Sequence, residues 1–316
     1  MMFESKIQKA WQDYRGDFGL GRIGLWVSLF EVFIFFICLL FFEAIIIEPL
    51  LPVILILFLI SLEAYIHRLR NVHRFLINTL FLTCCIIFNY VFVGTFDKLA
   101  GGLTRYDLYF ADLDLQILGL TSAAFFLKVT SFLGPLQSLY YDFLQLSYMT
   151  YFLFPFLGGI FYYQQLSERN KYKIGRFFAS LMIFFFFNFL LYVLVPVSGP
   201  QYFLASVKEL SLPLSAFGVF FNNIVLNSHP NFIDCFPSGH TGISVLVTIW
   251  MFKIKNHYRY IFLLFCVGMI QATLALKYHY LLDVLCAFPF AFICYKLAYF
   301  IVPIDIDIRR HRKWRF

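Results

Sequence analysis

The sequence predicts an all-α fold, a polytopic membrane bundle of about eight transmembrane helices. Of its 316 residues, 61% are hydrophobic and only 14% are charged, and the mean hydropathy is positive. About a quarter of the residues in soluble domains are charged, so this composition excludes a soluble fold. Aromatic residues make up 22% of the chain, which is typical of helices that face lipid and of aromatic belts at membrane interfaces.

The N-terminal part, residues 1–96, is predicted to hold one interfacial helix and three membrane spans. Phe3, Ile7, Trp11 and Tyr14 recur at helical spacing among basic residues, which indicates a helix lying on the inner membrane surface. Three apolar runs follow, each long enough to cross a bilayer: 24–47, 50–66 and 75–96.

The second part, residues 97–316, is predicted to form a separate membrane domain. Its first stretch, 97–139, is mixed in polarity and favours one or two helices in the outer interface. Five spans then follow, at 140–163, 177–197, 241–252, 260–276 and 280–302. One long polar stretch, 198–235, connects the second and third of these five spans.

The distribution of basic residues predicts the orientation of the helices. If both termini lie on one side, that side receives nineteen of the 25 Lys and Arg residues, the other side receives five, and Lys296 lies within the last span. Cytoplasmic loops are enriched in Lys and Arg, so both termini are predicted to be cytoplasmic. The net charge of +7 does not indicate nucleic-acid binding, because the basic residues lie in short loops between spans.

A turn that opens into an apolar helix is the first candidate for chemistry, and it reads CFPSGHT at 235–241. Pro237 ends the preceding segment, and Ser238 is a good N-cap for the helix. Gly239 allows the backbone to approach a ligand. Amide groups and the positive end of the helix dipole then favour a bound phosphate, which His240 is placed to touch.

A second polar stretch, KYHYLLD at 277–283, opens the last apolar run. His279 and Asp283 are spaced i, i+4, so on a helix the carboxylate would hold one ring N–H and make the other nitrogen more nucleophilic. The predicted topology puts both stretches on the outer face. Two ordinary interfacial histidines would not explain the capped helix start, the i+4 carboxylate and the shared membrane side.

The cysteines do not predict a disulfide framework. The chain has seven, and six of them lie inside apolar runs. Cys235 is the exception because it lies beside the candidate turn. It is interpreted as a small residue that packs the turn, and the alternative is a reactive thiol.

Together these residues resemble the type 2 phosphatidic acid phosphatase superfamily, membrane enzymes that cleave lipid phosphate esters through a phosphohistidine. The second signature of that family, Pro-Ser-Gly-His, is complete at 237–240. The third signature, Ser-Arg-x5-His-x3-Asp, keeps His279 and Asp283 but has Ala272 and Thr273 in place of Ser and Arg. The resemblance implies a six-helix phosphatase-like core.

The first signature of the family, Lys-x6-Arg-Pro, is absent, and PVSGPQY at 196–202 stands in its place. This departure, together with the His-Tyr-x-x-Asp form at 279–283, resembles the branch related to inositol phosphorylceramide synthases. The resemblance extends from about residue 140 to residue 302.

By this resemblance the reaction is an in-line phosphoryl transfer on the outer or lumenal face. His279 would attack phosphorus, Asp283 would fix its tautomer, and His240 would protonate the leaving oxygen. Amides around Ser238 and Gly239 would stabilise the developing negative charge.

One further cation and one possible metal site lie outside the two signatures. Lys277 is the nearest cation once the family Lys and Arg are absent, although an interfacial lysine that extends to the membrane surface is an equal alternative. No cofactor is implied, and the activity is expected to be metal-independent. The alternative is a magnesium site formed by Asp107, Asp112 and Asp114, which are otherwise interpreted as carboxylates on a solvated helix face.

Two functional hypotheses differ in the acceptor of the phosphoryl group. With water the protein is a lipid phosphatase, and with ceramide or another lipid alcohol it is a phosphotransferase that moves a headgroup such as phosphoinositol. The absent arginine favours transfer, whereas the glycine at 239 favours hydrolysis, because the synthase branch usually carries a bulkier residue there. A scaffold or transporter with a vestigial site is disfavoured, because both histidines and the aspartate are present.

Overall fold

The computed structural model describes residues 93, 105–167, 174–227 and 233–301. Within these ranges the regular structure is helical, apart from one isolated parallel bridge between Val197 and Asp234. The all-α prediction is confirmed for this part of the chain. The predicted interfacial helix and the spans at 24–47 and 50–66 lie outside the described residues, as does the third span apart from Val93.

The helices are numbered here in chain order within the described ranges. They are α1 (Asp107–Leu118), α2 (Ser122–Thr130), α3 (Leu136–Met149), α4 (Phe154–Gln165), α5 (Ile174–Leu194), α6 (Pro200–Phe203), α7 (Ala205–Lys208), α8 (Ala216–Asn227), α9 (Gly239–Lys253), α10 (Arg259–Ala275) and α11 (Leu281–Ile301). Short 3-10 turns follow α2 and α3, at Ser131–Leu133 and Thr150–Phe152.

Three helical stretches are long and apolar enough to cross a membrane by length and composition: Asp107–Leu133, Ile174–Leu194 and Leu281–Phe300. The last two match predicted spans. The predicted span at 140–163 is instead divided between α3 and α4, which form a fourth candidate only if they are taken together, with a bend of 67°. Pro155 lies in the first turn of α4 and has no amide N–H, so the hydrogen-bond ladder of α3 cannot continue through it.

The predicted polar connection at 198–235 contains helical structure of its own. It forms the short helices α6 and α7 and the twelve-residue helix α8. The polar residues at both ends led to the prediction of a polar connection, although the apolar run of α8 lies between them.

The described chain separates into two compact units. The larger unit comprises Asn89–Gly158 and Phe184–Phe292, and it contains every candidate site residue named above. In the described part of the smaller unit, Tyr162 stacks on Phe177 with ring centroids 5.5 Å apart.

The larger unit is built around α10, which packs against α3 and α9. Glycines allow close helix packing within this unit: a Cβ at Gly268 of α10 would collide with Ser147 of α3, and a Cβ at Gly242 of α9 would overlap the ring of Phe184 on α5. A short loop joins α9 to α10, so they are antiparallel neighbours. The start of α9 and the end of α10 therefore lie at the same end of the bundle.

Asp107, at the first position of α1, is buried and not solvated as the sequence analysis expected. Its carboxylate accepts hydrogen bonds from the backbone amides of Ser198 and Gly199, each at 3.0 Å. The hydroxyl of Tyr280 donates to it as well, at 3.1 Å.

Asp114, two turns further along α1, is also buried. It accepts from the backbone amide of Leu281 at 2.9 Å and from both the amide and the hydroxyl of Ser122. Residues seven apart share one helix face, so the two carboxylates hold α1 against the loops that carry the candidate site. Asp112, by contrast, is exposed.

Candidate active site

The turn at 235–241 forms the capped helix start that the sequence predicts. The hydroxyl of Ser238 accepts from the amide of Thr241 at 3.2 Å, which satisfies a first-turn donor of α9. The amide of Ser238 donates to the carbonyl of Asp283 at 3.0 Å. From α5, the side-chain amide of Asn188 donates to the carbonyl of Pro237 at 2.8 Å. Three helices therefore fix the position of this turn.

Gly239 faces side-chain oxygens. A Cβ at this position would lie 2.9 Å from the hydroxyl of Tyr192, 3.0 Å from Oδ1 of Asn188 and 3.7 Å from the hydroxyl of Tyr151. Close approach of a ligand to the backbone is the sequence-based reason for this glycine. Packing also favours glycine at this position, because a larger side chain would displace the groups that support the turn.

The ring of His240 lies among aromatic side chains at the start of α9. It stacks on Tyr148 at a centroid distance of 4.3 Å and an interplanar angle of 20°. The ring of Tyr151 lies 4.1 Å away at 40°. His279 lies edge-on to His240, with ring centroids 5.8 Å apart. The two imidazoles are therefore close enough to contact the same small group.

His279 lies in the loop that connects α10 to α11. Lys277 takes a positive φ of 72° just beyond the helix end, and the amides of Tyr278 and His279 both donate to the carbonyl of Thr273, at 3.1 and 2.8 Å. The helix α11 begins only at Leu281. His279 therefore precedes the helix, and the expectation that it shares a helix face with Asp283 is wrong.

Asp283 is nonetheless close to His279, because it lies in the first turn of α11 and reaches back. Its Oδ2 accepts from the amide of Tyr280 at 2.8 Å, in the manner of a capping-box carboxylate. The same oxygen lies 3.5 Å from Nδ1 of His279. Asp283 is fully buried and His279 almost fully, so the charge of the carboxylate is poorly screened by solvent.

Cys235 completes this cluster. Its Sγ lies 2.9 Å from Oδ2 of Asp283, 3.1 Å from Nδ1 of His279 and 3.5 Å from the carbonyl of Tyr278. Burial, reinforced by the carboxylate of Asp283, raises the pKa of this thiol well above its ordinary value. The thiol is therefore protonated at neutral pH, and it is not the activated thiolate that a reactive cysteine requires.

The same three side chains are the group that could hold a metal ion within the described ranges, since their ligand atoms all lie within 4.8 Å of one another. Sulfur, nitrogen and oxygen donors fit Zn²⁺ better than Mg²⁺. The magnesium alternative has no support, because Asp107 and Asp114 accept hydrogen bonds from protein donors.

Comparison with known proteins places these observations in a family. The PAP2 superfamily profile matches residues 123–297, more than half of the chain. The chain belongs to the PAP2 superfamily. A Dictyostelium discoideum protein named "PA-phosphatase related-family protein" is 25% identical to it over 192 residues, which is 55% of this chain and 34% of that protein. The chain thus spans about a third of the length of this relative. No solved structure matches the chain significantly.

In this PAP2 superfamily member, the stretch at 196–202 that replaces the first signature packs against the histidine loop. Gly199 takes a positive φ of 94°, and a Cβ there would lie only 2.7 Å from the carbonyl of Tyr278. The amide of Gln201 donates to the carbonyl of Lys277 at 3.1 Å. Glycine is therefore required at 199 by both conformation and space.

The candidate cation Lys277 of this PAP2 superfamily protein is bound to backbone carbonyls. Its ammonium group donates to the backbone carbonyls of Lys208 and Leu210, at 3.3 and 3.0 Å. Partial burial lowers its pKa. Arg105, which the sequence analysis treated only as an outer basic residue, donates to the hydroxyl of Ser198 at 2.8 Å. The sequence carries no local signal for this contact, because Ser198 lies 93 residues further along the chain.

Proposed function

We propose that this PAP2 superfamily protein is an integral membrane phosphatase that hydrolyses a lipid phosphate ester through a phosphohistidine. The observation that carries the proposal is the pair of neighbouring imidazoles, His240 and His279, whose ring centroids are 5.8 Å apart, with the buried carboxylate of Asp283 next to His279. The family supports a phosphatase reaction, and the apolar helices support a substrate that resides in the membrane.

His279 is the proposed nucleophile because its Nδ1 faces Cys235 and Asp283. When Nδ1 carries the proton, Nε2 holds the lone pair and is available for attack on phosphorus. His240 lies beside it and is the proposed acid for the leaving oxygen, and then the base for water. The start of α9, at Ser238 and Gly239, contributes the positive end of a helix dipole for the developing charge.

We also propose, from the positive-inside distribution, that the site opens on the outer or lumenal face and that both termini are cytoplasmic. Lipid phosphates hold their headgroups at the interface, so a site at one end of the bundle suits such a substrate. Lys277 stays a candidate for phosphate contact only if its ammonium leaves the carbonyls of Lys208 and Leu210.

A second candidate function is transfer of a phosphoryl headgroup to ceramide or another lipid alcohol. Two observations favour it. Helix α8 is tethered beside the histidine loop, since the hydroxyl of Tyr278 donates to Asn222 at 2.9 Å, and it carries exposed Phe217 and Phe220. Thr273 is buried where the family has arginine, and a site with fewer cations suits a singly charged phosphodiester better than a doubly charged phosphomonoester.

Product partition separates the two functions. Purified protein in mixed micelles is given lipid phosphate or phosphodiester with labelled phosphorus, with and without added ceramide. Hydrolysis releases the label into water, as free phosphate from the monoester or as the headgroup phosphate from the diester, at the same rate whatever alcohol is present. Diversion of most of the label into a new lipid would replace hydrolysis with transfer.

Histidine variants test the site itself. His279→Ala is expected to abolish turnover, whereas Asp283→Asn should lower kcat by orders of magnitude but less than His279→Ala, since it removes an orienting group and not the nucleophile. His257→Ala is the matched control, because this histidine is exposed in the loop at the opposite end of α9. Near wild-type turnover in His279→Ala would remove the nucleophile assignment.

A further inference from the structure

The thiol of Cys235 lies between the proposed nucleophile and its carboxylate. Direct N–H···O hydrogen bonds span about 2.7–3.2 Å, whereas Nδ1 of His279 and Oδ2 of Asp283 are 3.5 Å apart. Both atoms are closer to Sγ of Cys235, at 3.1 and 2.9 Å. The shorter path from imidazole to carboxylate therefore passes through sulfur.

The direction of these two hydrogen bonds follows from the chemistry of the groups. A thiol has a single proton and a carboxylate has none to donate, so in the 2.9 Å contact between Sγ of Cys235 and Oδ2 of Asp283 the sulfur is the donor. A carboxylate oxygen at 2.9 Å is a nearer and stronger acceptor than the carbonyl of Tyr278 at 3.5 Å. The thiol proton thus points to Asp283, and a sulfur lone pair is left to accept from Nδ1–H of His279.

The position of Cys235 is fixed by a segment that is distant from both partners in sequence and packs beside them in space. Its backbone amide donates to the carbonyl of Val197 at 3.2 Å, beside the bridge between Val197 and Asp234. Gly199 approaches so closely that a Cβ there would lie 3.4 Å from Sγ. The close approach of Gly199 leaves the thiol little room to move away from the imidazole of His279 and the carboxylate of Asp283.

We infer that Cys235 is a positioning residue, whose thiol accepts from His279 and donates to Asp283 and so transmits the orienting effect of the carboxylate to the nucleophile. The inference rests on the proposed phosphohistidine function. It assigns Asp283 an indirect action through sulfur, and it makes residue 235 a determinant of kcat and not of substrate binding.

Three variants test the inference in the full-length protein. Cys235→Ala removes donor and acceptor together, Cys235→Ser keeps both, and Cys266→Ala removes another buried thiol, on α10. A hydrogen bond to a charged group corresponds to roughly a 10- to 100-fold effect, so Cys235→Ala should lower kcat by about that factor with KM nearly unchanged. Cys235→Ser should recover most of the loss, and Cys266→Ala should match the wild type.

A double-mutant cycle distinguishes transmission from simple packing. If Cys235 acts through Asp283, then Cys235→Ala in an Asp283→Asn background should lower kcat by less than about threefold further. Independent, multiplicative losses would overturn the inference, as would an unchanged kcat in Cys235→Ala alone.

Infrared spectroscopy provides a second measurement that needs no activity and no alanine variant. The S–H stretching band of Cys235 is isolated as the difference between wild type and Cys235→Ser. A thiol that donates to a carboxylate absorbs at lowered frequency, so Asp283→Asn should shift the band upward. If the frequency of the band is the same in Asp283→Asn as in the wild type, the inference is overturned even when the enzyme is active. If the band responds but the wild type turns over no lipid phosphate, the proposed function fails and the hydrogen-bond arrangement stands.

Discussion

Replacement of the buried carboxylate at the start of α1 should destabilise the protein strongly. Asp107 accepts from two backbone amides and from the hydroxyl of Tyr280. Asp107→Asn removes the charge and turns an NH₂ group toward donors, which leaves at least one buried N–H without an acceptor. Hydrogen bonds to charged groups contribute about 1.5–3 kcal/mol each, and an unsatisfied buried group costs about 1–3 kcal/mol. A net loss of about 3 kcal/mol is expected after relaxation.

The assay is thermal unfolding in detergent, with Asp112→Asn as the matched control. Asp112 is an exposed aspartate on the same helix, and surface substitutions usually stay within about 0.5 kcal/mol. At about 2–4 °C per kcal/mol, Asp107→Asn should lower the Tm by roughly 6–12 °C and Asp112→Asn by less than about 2 °C. Equal Tm values for the two variants would refute the assignment of Asp107 as a buried anchor.

Two further predictions concern the site. Gly239→Ala should lower kcat, because its Cβ would lie 2.9 Å from the hydroxyl of Tyr192 and overpacking costs about 1–3 kcal/mol. Adding Tyr192→Phe removes that oxygen and should restore part of the activity. A double variant that is no more active than Gly239→Ala alone would count against this contact. Activity should survive EDTA, because imidazole and helix amides supply what a metal would; loss with EDTA and recovery with zinc would instead assign a metal to the cluster that includes Cys235 and Asp283.

The sequence predicted those elements whose signal is local. The apolar runs at 177–197 and 260–276 locate α5 and α10 to within three residues, because the length of an apolar run is a property of the run itself. The N-cap of α9 at Ser238 is equally local. The break at Pro155 could also have been predicted, since proline was present within the expected span.

The contacts that the sequence could not predict all join distant segments. Asp107 and Asp114 looked like solvated carboxylates because the amides of Ser198 and Leu281 lie 91 and 167 residues away from them, and only the contact of Asp114 with Ser122 is local. Their spacing of seven residues was a hint of a shared face, but it does not reveal what that face touches. Cys235 was interpreted as packing for the same reason, since its partners, His279 and Asp283, lie 44 and 48 residues further along the chain.

Trapping of the phosphoenzyme tests the central claim most directly. Wild-type protein is mixed with lipid phosphate labelled on phosphorus and quenched in alkali, in which phosphohistidine survives, and the modified peptide is then identified by mass spectrometry. The account predicts label on His279, none on His240, and none anywhere in His279→Ala. Turnover without label on His279, or label that persists on another residue in His279→Ala, would contradict it.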